Sequence, residues 1–174
     1  MCPLKAPFAQ PIASFDARWP LDLHTWPSLE AQAAALSDDI AYVNHDIDDG
    51  LRAGLFSISD LSQAPLAGEQ VSEIERQWPD LELSRFVGEL VRTLIGSLVD
   101  DLLAETRRRI GGAHPASADQ VRGHAGALVS FSPAMDGQLK ALKRFLFERM
   151  YRHPRVMTTM NRAKGVVAEL FGAL

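Results

Sequence analysis

Between Asp80 and Ile110, apolar residues return every three or four positions: Phe86, Val87, Leu90, Leu94, Ile95, Leu98, Val99, Leu102 and Leu103. That spacing puts them on one stripe of a single long α-helix. A helix of this length dominates what the chain can become, because its stripe must be covered by other elements. The neighbouring segments offer more helices. Pro27-Ser28 followed by Glu30 predicts a helix running to about Leu51–Leu55, loosened at its end by Gly50 and Gly54. A second fits Leu66 to Trp78 and stops at Pro79. Between these two, Ser57 with Asp60 is a possible cap. Gly111-Gly112 is expected to stop the long helix.

Beyond it the chain loosens at Pro115, Gly123 and Gly126. A short helix around Ser117–Gly123 and an extended piece over Leu128–Phe131 are both expected. Pro133 suits a helix start, with Leu139, Leu142, Phe145, Leu146 and Met150 as its apolar stripe, and Pro154 should end or kink it. Thr158–Phe171 predicts a last helix with Val166, Val167, Leu170 and Phe171 turned inward. No hairpin, βαβ unit or repeat is visible, so the fold class is all-α, a helical bundle.

Residues 1–26 carry four prolines and no sustained periodicity. They read as an irregular lead-in to a single helical domain over 27–174, with Trp19 and Trp26 lying against another surface. At 174 residues, with 47% hydrophobic and 23% charged, the chain can bury a real core. Its net charge of −4 leaves no nucleic-acid or anionic-membrane footprint. Arg107, Arg108 and Arg109 follow a long helical pattern, where the helix dipole alone favours cations. Cys2 is the single cysteine, which excludes a disulfide framework and a cysteine-based zinc site. No signal-peptide core or membrane-spanning run is visible, so a cytoplasmic location is expected.

Chemistry concentrates in Ser37–Gly50, which holds five aspartates, Tyr42 and His45. At about 100° per residue, Asp38, Tyr42, His45, Asp46 and Asp49 share one helix face, while Ile40, Val43 and Ile47 share another. Like charges crowded on one face repel by about 0.2–0.5 kcal/mol per pair. Such a face is either a solvated surface or one that meets a metal ion or a basic partner. Other candidates carry less. His114 and His124 lie in a glycine-rich loop, Gly111-Gly112 lacks a phosphate-loop context, and Ser130 and Ser132 match no nucleophile elbow. His153 reads equally as a helix-end histidine or as part of a motif.

The wording of three stretches goes further. Leu29-Glu30-Ala31-Gln32, Asp38-Asp39-Ile40-Ala41-Tyr42 and His45-Asp46-Ile47-Asp48-Asp49-Gly50-Leu51-Arg52-Ala53-Gly54 form the first. Leu94-Ile95-Gly96, Val99-Asp100-Asp101-Leu102 and Thr106-Arg107-Arg108-Arg109 form the second. The third joins Leu139-Lys140-Ala141-Leu142-Lys143 and Phe145-Leu146 to Met150-Tyr151-Arg152-His153 and Val156. Together they resemble the C-terminal half of the bacterial dGTPase-like deoxynucleoside triphosphate triphosphohydrolases of the HD-domain superfamily, from about residue 15 onward.

The resemblance implies hydrolysis of a dNTP to deoxynucleoside and tripolyphosphate at a divalent metal of the Mg, Mn or Fe type. It implies that Asp38 is a metal ligand, a hard oxygen donor suited to such ions, and that Tyr42 and Asp46 face the nucleotide sugar. Asp39 stands where some relatives carry a lysine near the phosphates, so that role does not carry over. The family's first histidine and its His-Asp dipeptide lie upstream of the matched part, and His45-Asp46 does not occupy their place. One carboxylate cannot hold a catalytic metal, since such sites take three or four protein ligands and a second shell. No catalytic residue is therefore assigned. The expectation is a truncated or split enzyme, inactive alone, and a homo- or hetero-oligomer. The alternative is a non-catalytic helical subunit that associates with full-length relatives.

Overall fold

The computed structural model describes residues 8–173; Cys2 lies outside them, and its reading with it. Among the described residues there is no strand, and the chain is all-α as expected. In chain order the helices are α1 (Gln10–Asp16), α2 (Leu29–Arg52), α3 (Ile58–Leu61), α4 (Ala67–Gln77), α5 (Leu83–Ala113), α6 (Ala118–Arg122), α7 (Pro133–Leu146) and α8 (Pro154–Ala173). A π-helical turn, Phe147–Tyr151, follows α7 directly. Contacts divide the chain into two compact units. Within the described residues, one takes 8–40 and 99–132 and the other 41–98 and 133–173, so α2 and α5 contribute to both.

In the first unit the lead-in differs from expectation. Pro11 stands in the first turn of α1, where its fixed φ suits the helix. Trp26 is half-buried and its backbone N–H donates to the Arg122 carbonyl at 2.9 Å, whereas Trp19 is 69% exposed. Ile40, Leu102, Val121, Leu128, Val129 and Phe131 are buried. Two polar clamps close this core. The fully buried Gln32 donates from Nε2 to the Pro27 carbonyl (2.8 Å), while its Oε1 accepts from the Leu128 and Val129 N–H groups (3.0 and 3.1 Å). Asp101 accepts from the Ser132 N–H and hydroxyl at 2.8 and 2.6 Å. These clamps hold Leu128–Ser132 in place, and the segment is no strand.

The basic run is anchored more specifically than a dipole requires. Arg108 and Arg109 both donate to the buried carboxylate of Glu105 at 2.7 Å, and Arg109 also reaches the Ala127 carbonyl at 3.0 Å. The two guanidinium hydrogen bonds hold the Glu105 carboxyl down to about 2. Gly111 and Gly112 do not stop α5, contrary to expectation; the helix runs through them to Ala113. His114 ends it in the left-handed region (φ 44°), because Pro115 cannot continue a helix and disfavours αR in the residue before it.

In the second unit most of the expected stripe residues are buried: Val43 and Ile47 of α2, Phe86, Val87, Leu90, Leu94 and Leu98 of α5, and Leu139, Leu142 and Leu146 of α7, whereas Ile95 is 38% exposed and Phe145 and Met150 are half-buried. Each such side chain contributes about 1.5–3 kcal/mol when fully buried. Gly50 stays inside α2 because a Cβ there would collide with the Phe56 ring, itself edge-on to Phe145 with ring centres 5.2 Å apart. Gly54 (φ 63°) then turns the chain out of the helix. Ser57 and Asp60 form the reciprocal capping box at the start of α3. The last helix departs from expectation twice. α8 starts at Pro154 rather than Thr158, and none of its residues is buried. Val166, Val167, Leu170 and Phe171 are 51–77% exposed. Periodicity identifies a face able to be buried, not the surface that covers it.

Candidate functional site

The second unit contains a cleft of about 230 Å³ lined by Tyr42, Val43 and Asp46 of α2, Lys143 and Leu146 of α7, and Phe147 and Tyr151 of the π-turn. Its construction follows from local rules. Val43 and Leu146 are buried and supply an apolar floor. Tyr42 and Asp46, one turn apart on α2, stand on the rim; Tyr42 is 62% exposed and Asp46 half-buried. On the opposite side the helix widens into a π-turn, closed by the Arg152 N–H donating to the Phe147 carbonyl five residues back (3.0 Å). Phe147 and Tyr151, four apart and so about one turn from each other, lie on nearly the same face.

Across the cleft the Tyr151 hydroxyl donates to Asp46 Oδ2 at 2.7 Å. That hydrogen bond to a carboxylate, helped by partial burial and by the nearby Asp46 and Tyr42 charges, pushes the Tyr151 phenol up to about 12. The phenol therefore stays protonated and donating at any physiological pH. A carboxylate accepts at both oxygens, so with Oδ2 taken, Oδ1 can accept from a ligand hydroxyl. Arg152 lies over the Phe147 ring at 5.0 Å and holds that ring from outside.

The other sequence candidates fall elsewhere. Asp38 is exposed, belongs to the first unit's part of α2 and does not line the cleft. His45 and Asp49 are exposed. Arg52 is committed to Asp48, with its Nε 2.8 Å from both carboxylate oxygens. Arg149 lies 3.7 Å from Asp60. His153 Nδ1 accepts from the Arg155 N–H at 3.3 Å, and His124 closes a local turn with Gly126. Among the described residues no group of three His, Cys, Asp or Glu side chains is placed to hold a metal ion.

Sequence reasoning assigned Tyr42 and Asp46 but gave no role to Tyr151, Phe147 or Lys143. The signal was present in part, because Lys143 and Tyr151 stand in the third stretch that carried the resemblance.

Comparison with known proteins agrees with the architecture. Residues 129–174 match the family model described as a phosphohydrolase-associated domain. The chain is 50% identical to a deoxyguanosinetriphosphate triphosphohydrolase-like protein of a Bradyrhizobium species, over 98% of this chain and 44% of that protein. Like-named proteins of Parvibaculum lavamentivorans and Caulobacter vibrioides are 50% and 45% identical over 94% and 97% of the chain. The chain belongs to this deoxyguanosinetriphosphate triphosphohydrolase-like family and corresponds to the C-terminal part of its members. It spans about two-fifths of the length of these relatives. No helix among the described residues is long and apolar enough to cross a membrane.

Proposed function

We propose that this chain supplies the nucleoside-facing wall of a dNTP triphosphohydrolase site, with Tyr42, Asp46 and Tyr151 as its sugar-binding residues. The observation that carries the reading is the Tyr151–Asp46 hydrogen bond inside an aromatic-lined cleft. A deoxyribose offers an apolar face and a hydroxyl. The phenol rings of Tyr42 and Tyr151 suit the face, and Asp46 Oδ1 suits the hydroxyl. Lys143 on the same cleft brings positive charge toward a phosphate. The substrate class follows from the relatives' names, and the reaction would separate deoxynucleoside from tripolyphosphate. In this reading Asp38 adds one carboxylate to a metal site whose other ligands come from polypeptide equivalent to the rest of the relatives. The assembled enzyme is an oligomer.

Calorimetry of dGTP and deoxyguanosine with the purified chain tests the reading. Asp46→Ala and Tyr42→Ala are expected to weaken binding of both by about tenfold. Equal affinity in wild type and both variants would remove the cleft from consideration. Binding without hydrolysis is the outcome expected of the chain alone.

A further inference from the structure

The first unit carries an apolar groove of about 400 Å³ that the nucleotide reading leaves unused. One wall is Leu29, Ala33 and Ile40 of α2, the other Val99, Leu103 and Ile110 of α5. Both walls step by four and then seven residues, so each presents one continuous helical stripe. Each stripe spans about 16 Å, or three helical turns. Val99 and Leu103 nevertheless remain 37% and 47% exposed. Large aliphatic side chains at packing periodicity, left open along a groove of this length, match the dimensions of a helix laid between two others.

The relatives indicate what lies there. The chain matches their C-terminal part and covers 44% and 41% of two of them, so more than half of each relative precedes the matched region. That preceding polypeptide leads into residues equivalent to the start of this chain, and residues 8–40 belong to the unit that carries the groove. We infer that the groove seats an amphipathic helix of about three turns from the polypeptide that precedes the matched region in these relatives, on the same chain or a companion one. Its buried face carries aliphatic residues at i, i+3 or i+4, and i+7. The inference rests on family membership and the groove, not on the nucleotide cleft.

The test places a photo-reactive phenylalanine analogue at Leu103 in a chimera that joins the preceding polypeptide of the Bradyrhizobium relative to the full chain. Mass spectrometry is expected to map the crosslinks to one helical segment of that preceding polypeptide. Leu103→Glu is expected to raise proteolysis of the same segment by about tenfold or more, because a buried leucine contact is lost. Tyr42→Ala in the cleft is expected to leave both readouts unchanged, so failure of the nucleotide reading is distinguishable. Where the chimera does not fold, the same analogue at the aligned position of the full-length relative decides. Crosslinks joining two copies through residue 103, or none to the preceding polypeptide, overturn the inference.

Discussion

Replacing Asp46 with asparagine is expected to bring the Tyr151 phenol back from about 12 toward its ordinary value of 10. The change removes the hydrogen bond to a carboxylate, the largest cause of the elevation, and the negative charge beside it. A rise from 10 to about 12 corresponds to about 2.7 kcal/mol between the protonated and ionised phenol. Tyr151 is 47% exposed, so solvent screening reduces the contact's share of folding stability to about 1 kcal/mol. The folded value lies above the unfolded one. The contribution is therefore complete below pH 10 and is lost as pH rises from 10 toward 12. The chain has two tyrosines, so Tyr42→Phe leaves Tyr151 as the sole ionising phenol. Its ultraviolet titration, with circular dichroism confirming that the helices persist, reads the value directly. Tyr151 ionising near 10 in that background, or at the same pH with and without Asp46, would refute the reasoning.

Three further perturbations probe how each unit is held. Gln32→Leu keeps side-chain bulk but strands two backbone N–H groups, at about 1–3 kcal/mol each; urea unfolding should show about 3 kcal/mol lost, with faster amide exchange at Leu128 and Val129. Gly50→Ala drives a methyl into the Phe56 ring, and overpacking of about 1–3 kcal/mol should appear as a lower melting temperature; an unchanged melting temperature would show that the ring moves freely. Glu105, lowered by its two arginines to about 2, adds stability that is complete above 4.5 and lost as pH falls toward 2. Glu105→Gln should flatten that acid limb of the stability curve and leave its neutral-to-alkaline shape unaltered.

The sequence made the helices legible because their signals are local. The stripe from Phe86 to Leu103, the Ser57–Asp60 box and Pro133 at a helix start all act within a few residues of themselves. What it did not show depends on partners far along the chain. Gln32 stood inside a recognised stretch, yet its role became visible only when the Leu128 and Val129 amides arrived from 96 and 97 residues away. Tyr151 met Asp46 across 105 residues. The reading of Gly111-Gly112 failed for a different reason. Glycine weakens a helix by about 1 kcal/mol without forbidding it, and Pro115 was the stronger stop. Val166 to Phe171 failed because an amphipathic pattern names no covering surface.

The π-turn at Phe147–Tyr151 makes the cleft a matter of residue count. Each residue advances an α-helix by about 100°, and the wide turn holds one more residue than an α-turn would. Winding the same five residues at the α-helical step would carry Tyr151 about a quarter-turn away from Asp46. Composition would not change, and the floor of Val43 and Leu146 would remain. In this part of the chain the winding of the backbone therefore decides, beyond the identity of the residues, whether the tyrosine–carboxylate contact forms.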